Sequence, residues 1–283
     1  MERFEKMENI KHKISWSIGA VLCAIFYYCG IIWVYTFVQK RILKKSRTVV
    51  LMYHRVGDDI AKDSEITVSN ANFDEQMKFL KNKFKVIDLD SLIDGIGKES
   101  DSLSASIAIT FDDGYKDNYE NAYPILRKYQ LPAAIFLVSR LIGNNGEILN
   151  LEEINIMKDN NIDFGSHTLS HKILADIGID DARKEVTSSK VELAQLLDRE
   201  IKYFAYPKGK KRHFNEQVKL AVKEAGYKAA FSTENGEITR GCDVFELKRI
   251  GMRNYPLFVF KVRLSGIFES KLFYFVRKKL KLT

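Results

Sequence analysis

Ile107-Ala108-Ile109-Thr110-Phe111-Asp112-Asp113-Gly114 is an apolar run that ends, without a break, in two carboxylates and a glycine. The run reads as a buried β-strand, too short for a helix and rich in β-branched and aromatic side chains. Two adjacent carboxylates at its end are costly unless one is neutralised. A metal held by one would do that and leave the other free to take a proton. Some fifty residues on, Ile162–Gly165 reads as a short strand leading into His167-Thr168-Leu169-Ser170-His171. The imidazoles stand at i and i+4, which on a helical turn would put both on one face. Two histidines, a carboxylate and an open position make a zinc-type catalytic site.

Outward from these motifs, short apolar runs alternate with helix-like segments. Val49–Tyr53, Phe84–Leu89, Ala133–Val138, Tyr203–Tyr206, Ala229–Phe231 and Leu247–Met252 read as further strands. Phe73–Lys83, Tyr119–Tyr129 (with Pro124 as a kink), Leu151–Asn160, Asp181–Leu197 and Asn215–Glu224 read as helices, the last closed by Gly226. Alternation of this kind implies a mainly parallel sheet. The expected fold is α/β, a distorted (β/α) barrel of about seven strands. His54, Asp112, Asp113 and His167 then fall at the C-terminal ends of strands, where such barrels carry reactive groups. An open doubly wound sheet would put them in the same place.

The net charge of +8 is unevenly spread. Residues 1–47 carry nine Lys/Arg against three Glu, residues 257–283 seven against one, and the stretch between is net acidic. Basic ends around an acidic middle point to a membrane rather than to nucleic acid. Ile14–Gln39 contains no charged residue, and as a helix at ~1.5 Å per residue it would exceed the ~30 Å hydrocarbon core. Trp16, Trp33 and Tyr35 lie toward its ends, as interfacial aromatics do. The expected organisation is a basic segment (1–13), a single transmembrane anchor (14–39), a basic linker (40–47), the catalytic domain (48–253) and a basic amphipathic tail (254–283). The tail would lie on anionic lipid or pack on the barrel, with Gly266 interrupting any single helix. Four basic residues precede the span and five follow it, a small excess that would put the body in the cytoplasm. Cys23 and Cys29 fall in the span, leaving only Cys242 in the body, which excludes a disulfide framework and a cysteine metal site there.

TFDDG (Thr110–Gly114), HTLSH (His167–His171), FAYPKG (Phe204–Gly209) and LMYHRV (Leu51–Val56) together resemble the motif set of the polysaccharide deacetylases of carbohydrate esterase family 4, over about Thr48–Arg253. The resemblance implies a NodB homology domain and hydrolysis of N-acetyl groups on amino sugars. By motif, Asp113, His167 and His171 would hold one divalent metal, zinc foremost, with cobalt or nickel as alternatives. Asp112 would be the general base. The amide of Lys208, after Pro207, would help hold the oxyanion, with Tyr206 beside the sugar.

The chain departs from the fullest pattern of the family in three places. FAYPKG lacks the arginine that orients the base, the body contains no tryptophan, and no histidine follows His213 to act as acid. The gaps resemble the branch acting on poly-N-acetylglucosamine-type polymers, in which the histidine of the YH motif reaches the active site. That makes His54 the candidate for contacting substrate or protonating the leaving amine. The implied partners are an acetylated amino sugar and membrane lipid, and the resemblance leans toward an extracytoplasmic body. Two alternatives stay open: a deacylase or deformylase of a lipid-linked sugar, and a non-catalytic carbohydrate-binding protein.

Overall fold

The computed structural model describes residues 19, 21–42, 47–59, 65–97, 105–144 and 146–270. They fall into two compact units, Arg47–Asn254 and one formed from the chain ends, Met1–Ser46 with Tyr255–Thr283.

In the larger unit the strands are β1 (Val49–Tyr53), β2 (Arg55–Val56), β3 (Thr67–Val68), β4 (Lys85–Val86), β5 (Ser106–Phe111), β6 (Ala133–Leu137), β7 (Ile162–Ser166), β8 (Tyr203–Ala205), β9 (Ala229–Phe231) and β10 (Ile250–Gly251). Seven of them run in the order β10-β1-β5-β6-β7-β8-β9, all parallel, and form an α/β half-barrel. β4 adds to β5 beside Ser106 and Ile107, while β2 and β3 make a separate ladder. Every residue of β1, β5 and β6 is buried, because helices cover one face and the barrel interior the other. Val50, Ala108, Ala134, Phe136, Tyr203 and Phe231 share one interior cluster, against which Cys242 packs half-buried.

The segment Leu247–Gly251 touches both ends of the sheet. Leu247 bridges Phe231 of β9 in parallel, while Ile250 and Gly251 pair with Leu51 and Met52 of β1. Arg249 is thereby carried between the two end strands, and it is fully buried.

Polar side chains start the helices where the sequence changes period. Ser69 caps Asn70–Lys83, Asn150 and Glu153 form a capping box on Leu151–Lys158, and Asn215 caps Glu216–Glu224. Pro124 departs from expectation. It does not kink a helix but sits in the first turn of Tyr123–Tyr129, where its missing N–H costs nothing. The residues before it, Asn118–Ala122, form a π-helical turn in which the Tyr123 N–H reaches back to the Asn118 carbonyl.

The expectation of one straight membrane span is corrected. Among the described residues no single helix is long and apolar enough to cross a membrane. Val21–Tyr28 and Ile31–Ile42 meet at a 66° bend. The cause is Gly30, whose φ of 75° is the left-handed conformation that ends one helix and begins the next. Within this unit Cys23 and Ile32 pack with Val259 and Val262 of the helix Leu257–Ser265, while Tyr28, Trp33, Val34 and Phe37 stay exposed. Gly266, at φ 74°, ends that helix. The amphipathic stretch expected up to Leu280 lies largely outside the described residues, as do most of residues 14–20.

Candidate active site

Asp112 and Asp113 follow β5 directly, and His54 follows β1 one residue past the paired positions Tyr53 and Phe111. The Asp112 N–H donates to the Tyr53 carbonyl at 3.0 Å, which continues the strand pairing up to the site. His167 follows β7 in the same way, its N–H donating to the Leu137 carbonyl at 2.7 Å. Parallel pairing therefore brings the ends of β1, β5 and β7, far apart in sequence, to one rim.

Three donor groups converge there. His167 Nε2 lies 3.4 Å and His171 Nε2 3.2 Å from Asp113 Oδ1, and ligand atoms of all three residues lie within 4.8 Å of one another. The His167 Nδ1 is 2.8 Å from the Ala205 carbonyl. A carbonyl can only accept, so Nδ1 carries the proton and the Nε2 lone pair faces the Asp113 oxygen. Burial holds the His167 imidazole below its ordinary pKa against the pull of Asp112 and Asp113, which favours the neutral ring a metal needs. Burial alone would raise the Asp113 carboxyl. The His171 hydrogen bond, with the electrostatic pull of the surrounding imidazoles, outweighs it and holds Asp113 well below the usual carboxylate range. Two imidazole nitrogens and one carboxylate fit a single divalent cation, with room for further ligands.

The two histidines do not lie on a helical turn, which corrects that expectation. Residues 167–173 form a loop in which Thr168 (φ 69°) and His171 (φ 61°) are left-handed. Thr168 Oγ1 accepts the His171 N–H at 2.9 Å, and the Glu185 carboxylate takes both the N–H and the hydroxyl of Ser170. Asp113 is left-handed as well, at φ 72°. Non-glycine residues rarely adopt this conformation, and clusters of it mark sites where the surrounding structure holds a strained loop.

Asp112 has a different partner. Arg249 clamps it with a two-pronged ion pair, Nη1 to Oδ1 and Nη2 to Oδ2, each at 2.7 Å. The same guanidinium donates to the Ser232 carbonyl through Nε at 2.9 Å and to Thr110 Oγ1 at 3.2 Å. Burial pushes the Asp112 carboxyl up, but the charge and hydrogen bonds of Arg249 bring it below its ordinary value. Asp112 is thus ionised and fixed in orientation. Sequence reasoning missed Arg249. The signal was present in Leu247–Met252, where alternation puts Arg249 on the same face as the apolar Leu247. A charged group on a buried face needs a carboxylate partner.

Residues 100–230 match the family model for polysaccharide deacetylase. Over that stretch the chain is similar to a polysaccharide deacetylase domain. Among its relatives are YxkH of Bacillus subtilis, itself named as a candidate polysaccharide deacetylase, and the poly-beta-1,6-N-acetyl-D-glucosamine N-deacetylase of Staphylococcus aureus. The first is 28% identical over 208 residues, 73% of this chain and 72% of the relative. The second is 27% identical over 236 residues, 73% of this chain and 79% of the relative. A polysaccharide deacetylase from Bacillus cereus superposes with a TM-score of 0.68 at 26% identity, covering 77% of this chain and 69% of that one. IcaB from Ammonifex degensii superposes equally well at 21% identity, over 78% and 97%, a likeness of fold.

His54 and Arg249 lie outside the matched stretch. The arginine absent from FAYPKG is supplied from the segment that joins the sheet's ends. The one aromatic candidate, Tyr206, lies in the core rather than on the rim. Tyr206 is buried, stacked on Phe214 with ring centroids 4.1 Å apart, and its hydroxyl donates to the Phe245 carbonyl at 2.9 Å. Tyr53 is likewise in the core, donating to Gln76 Oε1 at 2.8 Å. Tyr53 ends β1, and Tyr206 follows β8 directly. Pro207 is buried, and Lys208 is exposed with a left-handed backbone, φ 58°.

Proposed function

We propose that the chain is a metal-dependent hydrolase that removes N-acetyl groups from an amino-sugar polysaccharide. The observation that carries this is the convergence of Asp113, His167 and His171 beside an Asp112 that Arg249 holds ionised, on the fold of a deacetylase. These three residues would hold the cation, which when bound supplies Lewis-acid polarisation of an amide carbonyl and of water. Asp112 takes the proton of the attacking water, and Arg249 keeps its carboxylate aimed and deprotonated. The Lys208 N–H, on its tight turn, donates to the developing oxyanion. His54, whose charge reaches both carboxylates, donates a proton to the departing amine. The C–N bond breaks, and the products are acetate and a free amine.

Acetate release from an N-acetylglucosamine oligomer tests the proposal. Chelation should abolish it, zinc or cobalt should restore it, and Asp112→Asn should bind metal yet turn over at least about 100-fold more slowly, as removal of a general base does. An Asp112→Asn variant with full turnover would refute the assignment. The lipid-linked-sugar alternative leaned on the basic loop Lys208–Arg212 as an anion site. Within the fold Lys210 Nζ donates to the Thr233 carbonyl and Lys211 pairs with Glu246, so part of that charge is already engaged.

The proposal also seats the chain ends in a membrane. The bent helix pair exposes Tyr28, Trp33, Val34 and Phe37, and basic residues flank the uncharged stretch on both sides. Aromatic and aliphatic side chains beside Lys and Arg suit an anionic lipid interface. The chain's two tryptophans, Trp16 and Trp33, both lie here, so their emission is a built-in reporter. It should shift to the blue on anionic vesicles and be quenched by brominated acyl chains. Emission indifferent to lipid would end this part of the proposal.

A further inference from the structure

Asp117, Asn118 and Asn121 follow the Asp112-Asp113 motif by a few residues, and their side chains converge on three consecutive residues, His54–Val56. Asn118 Nδ2 donates to the His54 carbonyl at 2.8 Å. Asp117 Oδ1 accepts the Val56 N–H at 3.2 Å, and Asp117 Oδ2 pairs with Arg55 Nε at 2.7 Å. Asn121 Nδ2 donates to the Val56 carbonyl at 2.7 Å. The Arg55 guanidinium lies over the Tyr115 ring, 4.6 Å from its centroid.

The local backbone explains why three side chains can meet there. Pro124 has no N–H to continue an α-helical ladder backwards, and the chain closes a wider turn instead, Tyr123 N–H to Asn118 carbonyl. The His54 segment needs outside support, because β2 is only two residues long and among the described residues pairs only with β3. Asn118 is buried, and its amide is used one-sidedly. Nδ2 serves the His54 carbonyl and, at 3.1 Å, Asp117 Oδ1, whereas Oδ1 has no protein partner among the described residues. A flipped amide would set oxygen against oxygen at His54 and at Asp117, so the orientation is fixed by the clamp.

We infer that Asn118, with Asp117 and Asn121, is a positioning residue for the hydrolysis: the turn they occupy fixes the backbone from which His54 serves the reaction. One short stretch, Asp112–Asn121, thus supplies the base and a metal ligand at one end and aligns the opposing histidine at the other. The inference rests on the proton-donor reading of His54 given above.

The test is a double-mutant cycle on the full, zinc-loaded chain, with an N-acetylglucosamine oligomer as substrate. Asn118→Asp keeps the shape but removes the donated hydrogen bond. It should lower kcat about 10–100-fold, the scale of a misplaced reacting group, with KM within about twofold. His54→Gln should lower kcat by a comparable factor or more, and adding Asn118→Asp to it should change kcat less than about twofold. If Asn118→Asp fails to fold, Asn121→Ala, which releases the Val56 carbonyl, is carried through the same cycle. Full turnover by His54→Gln removes the reading of His54 and the inference with it. A slow His54→Gln, with the second substitution multiplying the loss in full, leaves His54 standing and overturns only the positioning role. Unchanged kcat in Asn118→Asp overturns it as well.

Discussion

Replacing Arg249 by methionine tests the link between fold and chemistry most directly. The guanidinium and the Asp112 carboxylate are both buried, and two 2.7 Å contacts join them. Removing one partner of such a pair strands a charge away from water, at a cost of about 3–5 kcal/mol. Against a total stability of about 5–15 kcal/mol this is a large fraction. Arg249→Met should therefore shift the urea midpoint sharply downward. Asp112→Asn should also destabilise, because it leaves the Arg249 charge without its counter-ion. The double variant has no stranded charge and should lose less than the sum of the two, with a coupling of about 2–3 kcal/mol. Arg249→Lys keeps the charge but cannot reach both carboxylate oxygens at once. It should fold, and lose turnover more than substrate affinity, because Asp112 is no longer aimed. Additive losses in the cycle, with a coupling below about 0.5 kcal/mol, would refute the buried-pair reasoning.

Other outcomes follow from the same geometry. Glu185→Ala frees the Ser170 turn that holds His167 and His171 together, so zinc affinity measured by calorimetry should fall about 10–100-fold, as for other supports of metal ligands. The metal-free chain should lose stability as pH falls below about 6.5. His167 resists protonation when folded and titrates at its ordinary pKa when unfolded, so the unfolded state takes up the extra proton, with a limiting slope of about 1.4 kcal/mol per pH unit. His167→Gln should flatten that limb in urea titrations run at several pH values. Gly165→Ala should destabilise by about 1–3 kcal/mol in thermal or urea melts, because its Cβ would meet Phe136 Cδ1 at 2.6 Å and the Tyr203 carbonyl at 2.8 Å, where neither β6 nor β8 can yield. A neutral result there would mean the strands give more than a packed core should.

What could be read from the sequence was local in nature. Strand-like runs ending at Tyr53, Phe111, Val138 and Gly165 announce themselves by length and side-chain type, and the residues after them by their chemistry. Asp112, Asp113, His167 and His171 were legible as candidates for a metal site from their residue types, and only the resemblance to the deacetylase motifs divided them into three ligands and a base. The backbone that unites them was not. Spacing suggested a helical turn, whereas two left-handed residues and a glutamate from the following helix bring the imidazoles together. The apolar stretch 14–39 likewise read as one span, because composition does not show that Gly30 adopts the left-handed conformation its missing Cβ permits.

Arg249 marks the division most clearly. It stands 137 residues after Asp112, on a segment that pairs with the first strand and touches the last. No period or motif spacing carries information across that distance. The sequence by itself determined which groups could do chemistry and at which strand ends they would stand. Only the tertiary structure decided which charges meet, because a buried ion pair is selected by the closure of the sheet.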